Sequence, residues 1–162
     1  MIYQTSMATP IGDLVIQSND TAIVSVSFES EASTALFPAA IMVSGKTMPA
    51  VLRQAVEELQ QYFDGQRKEF TVPLYMEGTE FRMKAWKALQ AIPYGEVRSY
   101  QQQAEAIGNR KATRAIGGAN HNNRISIIVP CHRVIGKNCK LVGFGGGLER
   151  KQWLLDHELK WK

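Results

Sequence analysis

The 162-residue sequence predicts an α/β chain of the α+β kind. A small antiparallel sheet with one helix comes first, and a mainly helical half built around a helix-turn-helix follows. Two patterns and one imbalance predict this. The first 28 residues alternate apolar and polar side chains at strand period, whereas apolar spacing after Thr79 is helical. Residues 1–77 hold 4 Lys/Arg against 9 Asp/Glu, a balance of −5, and residues 78–162 hold 15 against 6, a balance of +9. We expect an N-terminal domain over 1–74 and a C-terminal domain over 75–162, with 72–78 as the linker.

In the first half, Ile2-Tyr3, then Leu14-Val15-Ile16, then Ile23-Val24-Ser25-Val26-Ser27-Phe28 read as three antiparallel strands. Pro10-Ile11-Gly12-Asp13 and Asn19-Asp20 supply the turns between them. Glu29 to Lys46 is poorly patterned and reads as loop, with a short helix near Ala32–Phe37. Val51, Ala55, Leu59 and Tyr62/Phe63 have helical spacing, and Asp64-Gly65 stops that helix. Phe70-Thr71-Val72 reads as a further strand closed by Pro73.

In the second half, Thr79 can cap a helix that buries Phe81, Ala85, Ala88, Leu89 and Ile92 and ends at Pro93-Tyr94-Gly95. Ser99 with Gln102 forms a capping box for a short helix running to about Ile107. Gly108-Asn109 breaks it, and another short helix runs from Arg110 to about Ala119. Helix, glycine turn, helix is the helix-turn-helix pattern, although an ordinary helical hairpin reads the same way. Small residues Ala112, Ala115 and Ala119 line the second helix, with Gly117-Gly118 between them. Glycine costs helix stability, so close approach to another surface is the reason to expect. A last helix spans about Leu148 to Leu159.

Composition excludes several classes. Hydrophobic residues make up 44% of the chain, enough for a core. No apolar run of about 18 residues is present to span a membrane, and the first residues do not read as a secretion signal. Two cysteines are too few for a disulfide scaffold. A basic second half fits a polyanionic partner, and a solvated basic face is the plain alternative.

The densest chemistry lies in Val129-Pro130-Cys131-His132-Arg133-Val134-Ile135-Gly136. A thiol is a strong nucleophile only as thiolate, which neighbouring cations or a positioned base can favour. Cys131 has an imidazole and a guanidinium beside it in the chain. After the apolar Ile127-Ile128-Val129 it also reads as an ordinary buried cysteine. In an extended segment His132 would point away from Cys131, so one bridging water is the natural route for proton transfer.

Pro130-Cys131-His132-Arg133-Val134 resembles the active-site signature of the 6-O-alkylguanine-DNA alkyltransferases, the methylated-DNA–protein-cysteine methyltransferases. Similar segments flank it: Pro93-Tyr94-Gly95-Glu96-Val97 with Ser99-Tyr100, Arg114-Ala115-Ile116-Gly117-Gly118-Ala119, Gly146-Gly147-Leu148, and Trp153-Leu154-Leu155 with His157-Glu158. The likeness covers roughly residues 78–159. It implies a ribonuclease-H-like N-domain and direct repair of alkylated guanine, the alkyl group passing irreversibly to Cys131 in one turnover without a cofactor. A non-catalytic relative carries Trp at the cysteine position; this chain keeps the thiol.

The resemblance also implies site roles. His132 is the water-mediated base, Glu158 orients it, and Tyr100 donates a proton to the leaving guanine. Arg114 fills the gap left by a flipped base, with Arg110, Lys111 and Arg124 on phosphates. Val134, Phe144, Gly145 and Lys151 line the substrate pocket, and Asn123 ties the helix pair to the cysteine loop. Phe144 and Gly145 depart from the family's usual Tyr and Ser or Ala. His157 is assigned no chemistry, and a Cys131–Cys139 redox switch is a minor alternative. Some relatives carry zinc in the first domain. Residues 1–77 here contain neither Cys nor His, so no metal is expected.

The expected partner is double-stranded DNA containing alkylated guanine, met by a monomer with no membrane association. The expected location is the cytoplasm, or the nucleus if the source is eukaryotic. Two rivals remain open on the sequence: a non-catalytic DNA-damage sensor using the same helix pair, and a cysteine hydrolase or redox protein using Cys131 and His132.

Overall fold

The computed structural model describes residues 1–29, 37, 39–136 and 147–162. It divides into two compact units, Met1–Met76 and Glu77–Lys162.

Among the described residues, the first unit is a four-stranded sheet with one α-helix. Strands β1 (Tyr3–Met7), β2 (Leu14–Ser18) and β3 (Ile23–Phe28) pair antiparallel in sequence order. The expected loop contains a fourth strand, β4 (Ile41–Met42), which pairs parallel to β1 and makes the sheet mixed. Two residues carry no readable alternation, so this edge strand left no signal. Both β2 and β3 are buried on both faces, hydroxyls included, so the Ser/Val alternation does not mark a wet face.

Helix α1 (Ala50–Phe63) packs across β1, β2 and β3 and buries Val51, Leu52, Ala55, Leu59 and Tyr62. Burying five such side chains contributes on the order of 1.5–3 kcal/mol for each large one. The expected strand at Phe70–Val72 does not form. The backbone N–H groups of Thr71 and Val72 donate instead to the enclosed Glu58 carboxylate, at 2.8 and 3.1 Å. Pro73 has no N–H to offer. Only an isolated bridge, Ile23 to Leu74, remains. The helix expected near Ala32–Phe37 lies outside the described residues, Phe37 excepted.

The second unit holds α2 (Glu80–Gln90), α3 (Tyr100–Ala106), α4 (Thr113–His121) and α5 (Leu148–Trp161). Thr79 caps α2 by accepting from the Arg82 N–H, and Ser99 and Gln102 form a complete capping box on α3. Helix α4 begins at Thr113, three residues later than expected, because Asn109 to Ala112 close a turn first. Helices α2, α3 and α4 pack around Ala85, Ala104, Ile116 and Ala119, with Phe81, Tyr100 and Ile107 at the edge. Side-chain hydrogen bonds lock this trio. Gln103 and Asn120 exchange reciprocal amide bonds of 2.9 and 2.8 Å, and the Trp86 indole N–H donates to the Ala119 carbonyl. A second small sheet, also unsignalled in the sequence, pairs β5 (Arg98–Ser99) with β6 (Val134–Ile135) in parallel. It ties the start of α3 to the segment just after Cys131.

Candidate active site

Cys131, His132 and Arg133 form one turn of 3-10 helix rather than an extended segment, so the alternation argument for His132 does not apply. The turn is tight on both sides. The Cys131 N–H donates to the Val129 carbonyl across Pro130, and the Arg133 N–H to the Pro130 carbonyl. Cys131 is partly exposed. Asn123, two residues past α4, reaches it directly: its Nδ2 donates to the Val129 carbonyl at 2.9 Å and lies 3.3 Å from the Cys131 sulfur. Its Oδ1 accepts from the Ile125 N–H. A hydrogen bond to the charged form of a titratable group favours that form, so this amide favours thiolate.

His132 is fully enclosed, with Nε2 2.6 Å from Glu158 Oε2. Glu158, at 1% exposure, also accepts Arg133 Nε at 2.8 Å and Nη2 at 3.1 Å, and the Gly95 N–H at 3.2 Å. Burial alone would raise the Glu158 pKa. The His132 ring and the two-pronged Arg133 guanidinium outweigh it and hold the carboxyl well below its usual range. Burial pushes the His132 pKa down, and the pull of Glu158 does not reverse that. The ring is therefore neutral. An ionised carboxylate can only accept, so the ring proton sits on Nε2 and Nδ1 carries the lone pair. That Nδ1 is buried with no hydrogen-bond partner among the described residues.

In the sequence Arg133 reads as a cation beside the thiol. In the fold its guanidinium is spent on Glu158 and on the Ile92 carbonyl, 2.7 Å away, with the Tyr94 ring 5.7 Å from its carbon. The turn after α2 thus supplies three supports: Ile92 and Tyr94 to Arg133, and Gly95 to Glu158. Gly95 has φ +78, which a residue with a side chain adopts only with strain.

Two further groups feel the thiol. Tyr100, the first residue of α3, has its pKa raised by burial and then by the charge of Cys131, so its hydroxyl keeps its proton. Lys151 in α5 is fully buried; burial brings its pKa down to about 8, while the charge of Cys131 works the other way. Arg114 lies in the first turn of α4, exposed to solvent. Arg110 and Lys111 in the turn before α4, and Arg124 after it, are exposed as well. The ideal Cβ positions of Gly117 and Gly118 meet nothing within 4 Å, so this helix has room for something outside the chain. Val134 is completely buried at the start of β6, inside the core. Phe144, Gly145 and Cys139 lie outside the described residues.

Gln103 and Asn120 carry no mark in the sequence as site-shaping groups, and Arg133 is marked there only as a cation for the thiol. The Pro93-Tyr94-Gly95 turn is legible there, but nothing local tells which carboxylate it meets 63 residues later.

Comparison with known proteins meets this geometry. Residues 80–160 match the DNA-binding domain of 6-O-methylguanine DNA methyltransferase, and residues 2–76 match its ribonuclease-like domain. The chain belongs to this family. It is 43% identical over 159 residues to the constitutive methylated-DNA–protein-cysteine methyltransferase of Bacillus subtilis, covering 98% of this chain and 96% of that protein. Among solved structures, the O6-methylguanine methyltransferase of Mycobacterium tuberculosis superposes with a TM-score of 0.90 at 39% identity, covering 100% of this chain and 95% of that one. The same bacterium's protein in complex with DNA gives a TM-score of 0.88 at 40% identity, covering 98% and 94%. The DNA-binding-domain match of the methyltransferase family encloses Cys131, His132, Arg133 and Glu158 together.

Proposed function

We propose that this chain reverses alkylation of DNA, taking a methyl or larger alkyl group from the 6-oxygen of guanine onto Cys131, once per molecule. The observation that carries the reading is the chain Glu158–His132 beside a thiol held by Asn123. Glu158 keeps His132 in the Nε2–H form, and the bare Nδ1 is the acceptor for the thiol proton, through one water.

The Cys131 sulfur attacks the alkyl carbon in line, as its carbon–sulfur bond forms and the carbon–oxygen bond of guanine breaks. The electron pair passes to the base, and Tyr100 gives it a proton. Solvent returns to Tyr100 the proton that His132 took from the thiol, so the protons balance. Preorganised donors at the developing charge are a large part of such catalysis. No group described near Cys131 cleaves the resulting thioether, so the protein is consumed.

A base inside a duplex is unreachable to the thiol, so the damaged nucleotide must be turned out. Exposed Arg114 on α4, a helix with open glycines, suits the vacated stack. Arg110, Lys111 and Arg124 suit phosphates, which position without specifying sequence. Val134 and Lys151 are assigned to the pocket, as are Phe144 and Gly145. Lys151 acts there through its charge beside Cys131 rather than as an exposed contact.

No described helix is long and apolar enough to cross a membrane. A thiol that must stay reduced favours the cytoplasm. Intact-mass measurement tests the function. One alkyl group per protein, located on the peptide of Cys131 and absent in Cys131→Ala, is expected after incubation with methylated duplex. Repeated turnover, or an unmodified wild-type protein, would overturn the reading and favour a hydrolase or a damage sensor.

A further inference from the structure

Ile127 is the only described non-glycine residue with positive φ, at +73°. A β-branched side chain disfavours that region more than most, because its Cβ substituents crowd the backbone. The conformation is closed by a hydrogen bond from the Ile128 N–H to the Ser126 carbonyl at 2.8 Å, which makes residues 126–128 a three-residue turn of the rare, strained hand. Its side chain is fully buried. Three residues later the relaxed mirror form appears: Pro130 has φ −82° and ψ 66°, spanned by the Cys131 N–H to Val129 carbonyl bond. Between the two turns, the Val129 N–H donates to the Ile125 carbonyl at 3.0 Å. This folded loop brings the Val129 carbonyl and the Cys131 sulfur to one amide, that of Asn123.

We propose that Ile127 is a positioning residue for the reactive thiol, its buried side chain holding the strained turn that sets Cys131 against the Asn123 amide. Strain of this kind persists only where the surroundings over-determine it. Here burial on one side and the Asn123 amide on the other do so. The turn shortens the path from α4 to the 3-10 turn, so relaxing it lets Cys131 drift from its donor. The role deepens the alkyl-transfer reading and rests on it only for the DNA step.

The test compares wild type with Ile127→Val, Ile127→Ala and Ile127→Gly, each rate normalised to the folded fraction from near-ultraviolet circular dichroism. Two rates are read: transfer from methylated duplex, and alkylation of Cys131 by iodoacetamide across pH. Ile127→Ala is expected to slow transfer by about 10-fold or more and to move the iodoacetamide midpoint to higher pH, with duplex affinity unchanged. A residue of purely structural importance would leave that midpoint alone. Ile127→Val keeps the branch and most of the volume, and should stay within about two-fold of wild type.

Ile127→Gly should melt no lower than Ile127→Ala, reversing the usual order, because glycine adopts positive φ without strain. If the truncations do not fold, a strong intraresidue amide–Hα nuclear Overhauser effect at Ile127 in the wild type decides whether the turn exists. An unmoved midpoint and rate in Ile127→Ala, a glycine variant melting below the alanine one, or absence of that effect would overturn the proposal. Failure of wild type to accept methyl while the iodoacetamide shift persists would count against the repair reading alone.

Discussion

His132 and Glu158 stand 2.6 Å apart, 26 residues apart in the chain, with both side chains closed off from solvent. The contact assigns the ring proton to Nε2 and leaves Nδ1 as a base. Glu158 can do this because Arg133 and the Gly95 N–H hold it ionised and in place.

Replacing Glu158 by Gln leaves Arg133 buried without its counter-charge. Removing one partner of a buried pair costs about 3–5 kcal/mol, so a clear drop in urea midpoint is expected. The amide can also present its NH2 to His132, which favours the wrong tautomer. Methyl transfer by the folded fraction should fall on the order of 100-fold, the scale of general-base catalysis. Single-turnover rates with methylated duplex check this.

Stability should change with pH in two windows. Native His132 and Glu158 both have lowered pKa values, so the unfolded chain binds protons that the native chain refuses. Their contribution is intact above the unfolded histidine value near 6.5. It declines as pH falls through that value and then through the carboxylate range. Lys151, at about 8 in the fold against 10.5 unfolded, adds a rise in stability between those two values as pH increases. Urea unfolding from about pH 4 to about pH 10.5 should show both slopes.

Lys151→Met should abolish the upper slope, because the amine that titrates there is gone. The same variant should transfer alkyl groups more slowly, since a cation beside Cys131 is gone. An unchanged rate would separate Lys151 from the chemistry.

Asn120→Ala strands the buried Gln103 amide between α2 and α4. An unsatisfied buried group costs about 1–3 kcal/mol, whereas replacing both partners by Leu should cost less. Thermal melts of the single and double variants measure the difference.

Arg110→Ala and Lys111→Ala should weaken duplex binding about equally for all sequences. Each removes one cation from the phosphate backbone, so the slope of log affinity against log salt should become shallower by about 1 in each variant. Titrations of unmodified duplex across a salt series measure that slope. Arg114→Ala should slow transfer from duplex and leave iodoacetamide alkylation of Cys131 unchanged.

Local codes made much of this protein legible in its sequence. Thr79, Ser99 and Gln102 announce helix starts, apolar periods announce α1 and α2, and Pro130-Cys131-His132-Arg133-Val134 announces the thiol, because each signal lies within a few neighbouring residues. The two-residue strands β4, β5 and β6 are too short for a period to register. Thr71 and Val72 look like strand until Glu58, 13 residues before Thr71, takes their N–H groups. Arg133 looks like a cation for Cys131 until folding delivers Glu158 and the Ile92 carbonyl to it. Positive φ at Ile127 runs against its own side-chain preference, so nothing local in the sequence announces it. Composition and short-range pattern thus announced the longer helices and strands and marked the Cys131 thiol as the candidate nucleophile. Tertiary packing alone decided the Arg133 and Gly95 contacts that hold Glu158 and the backbone strain beside the thiol, because those contacts join residues whose side chains carry no information about each other until the chain has folded.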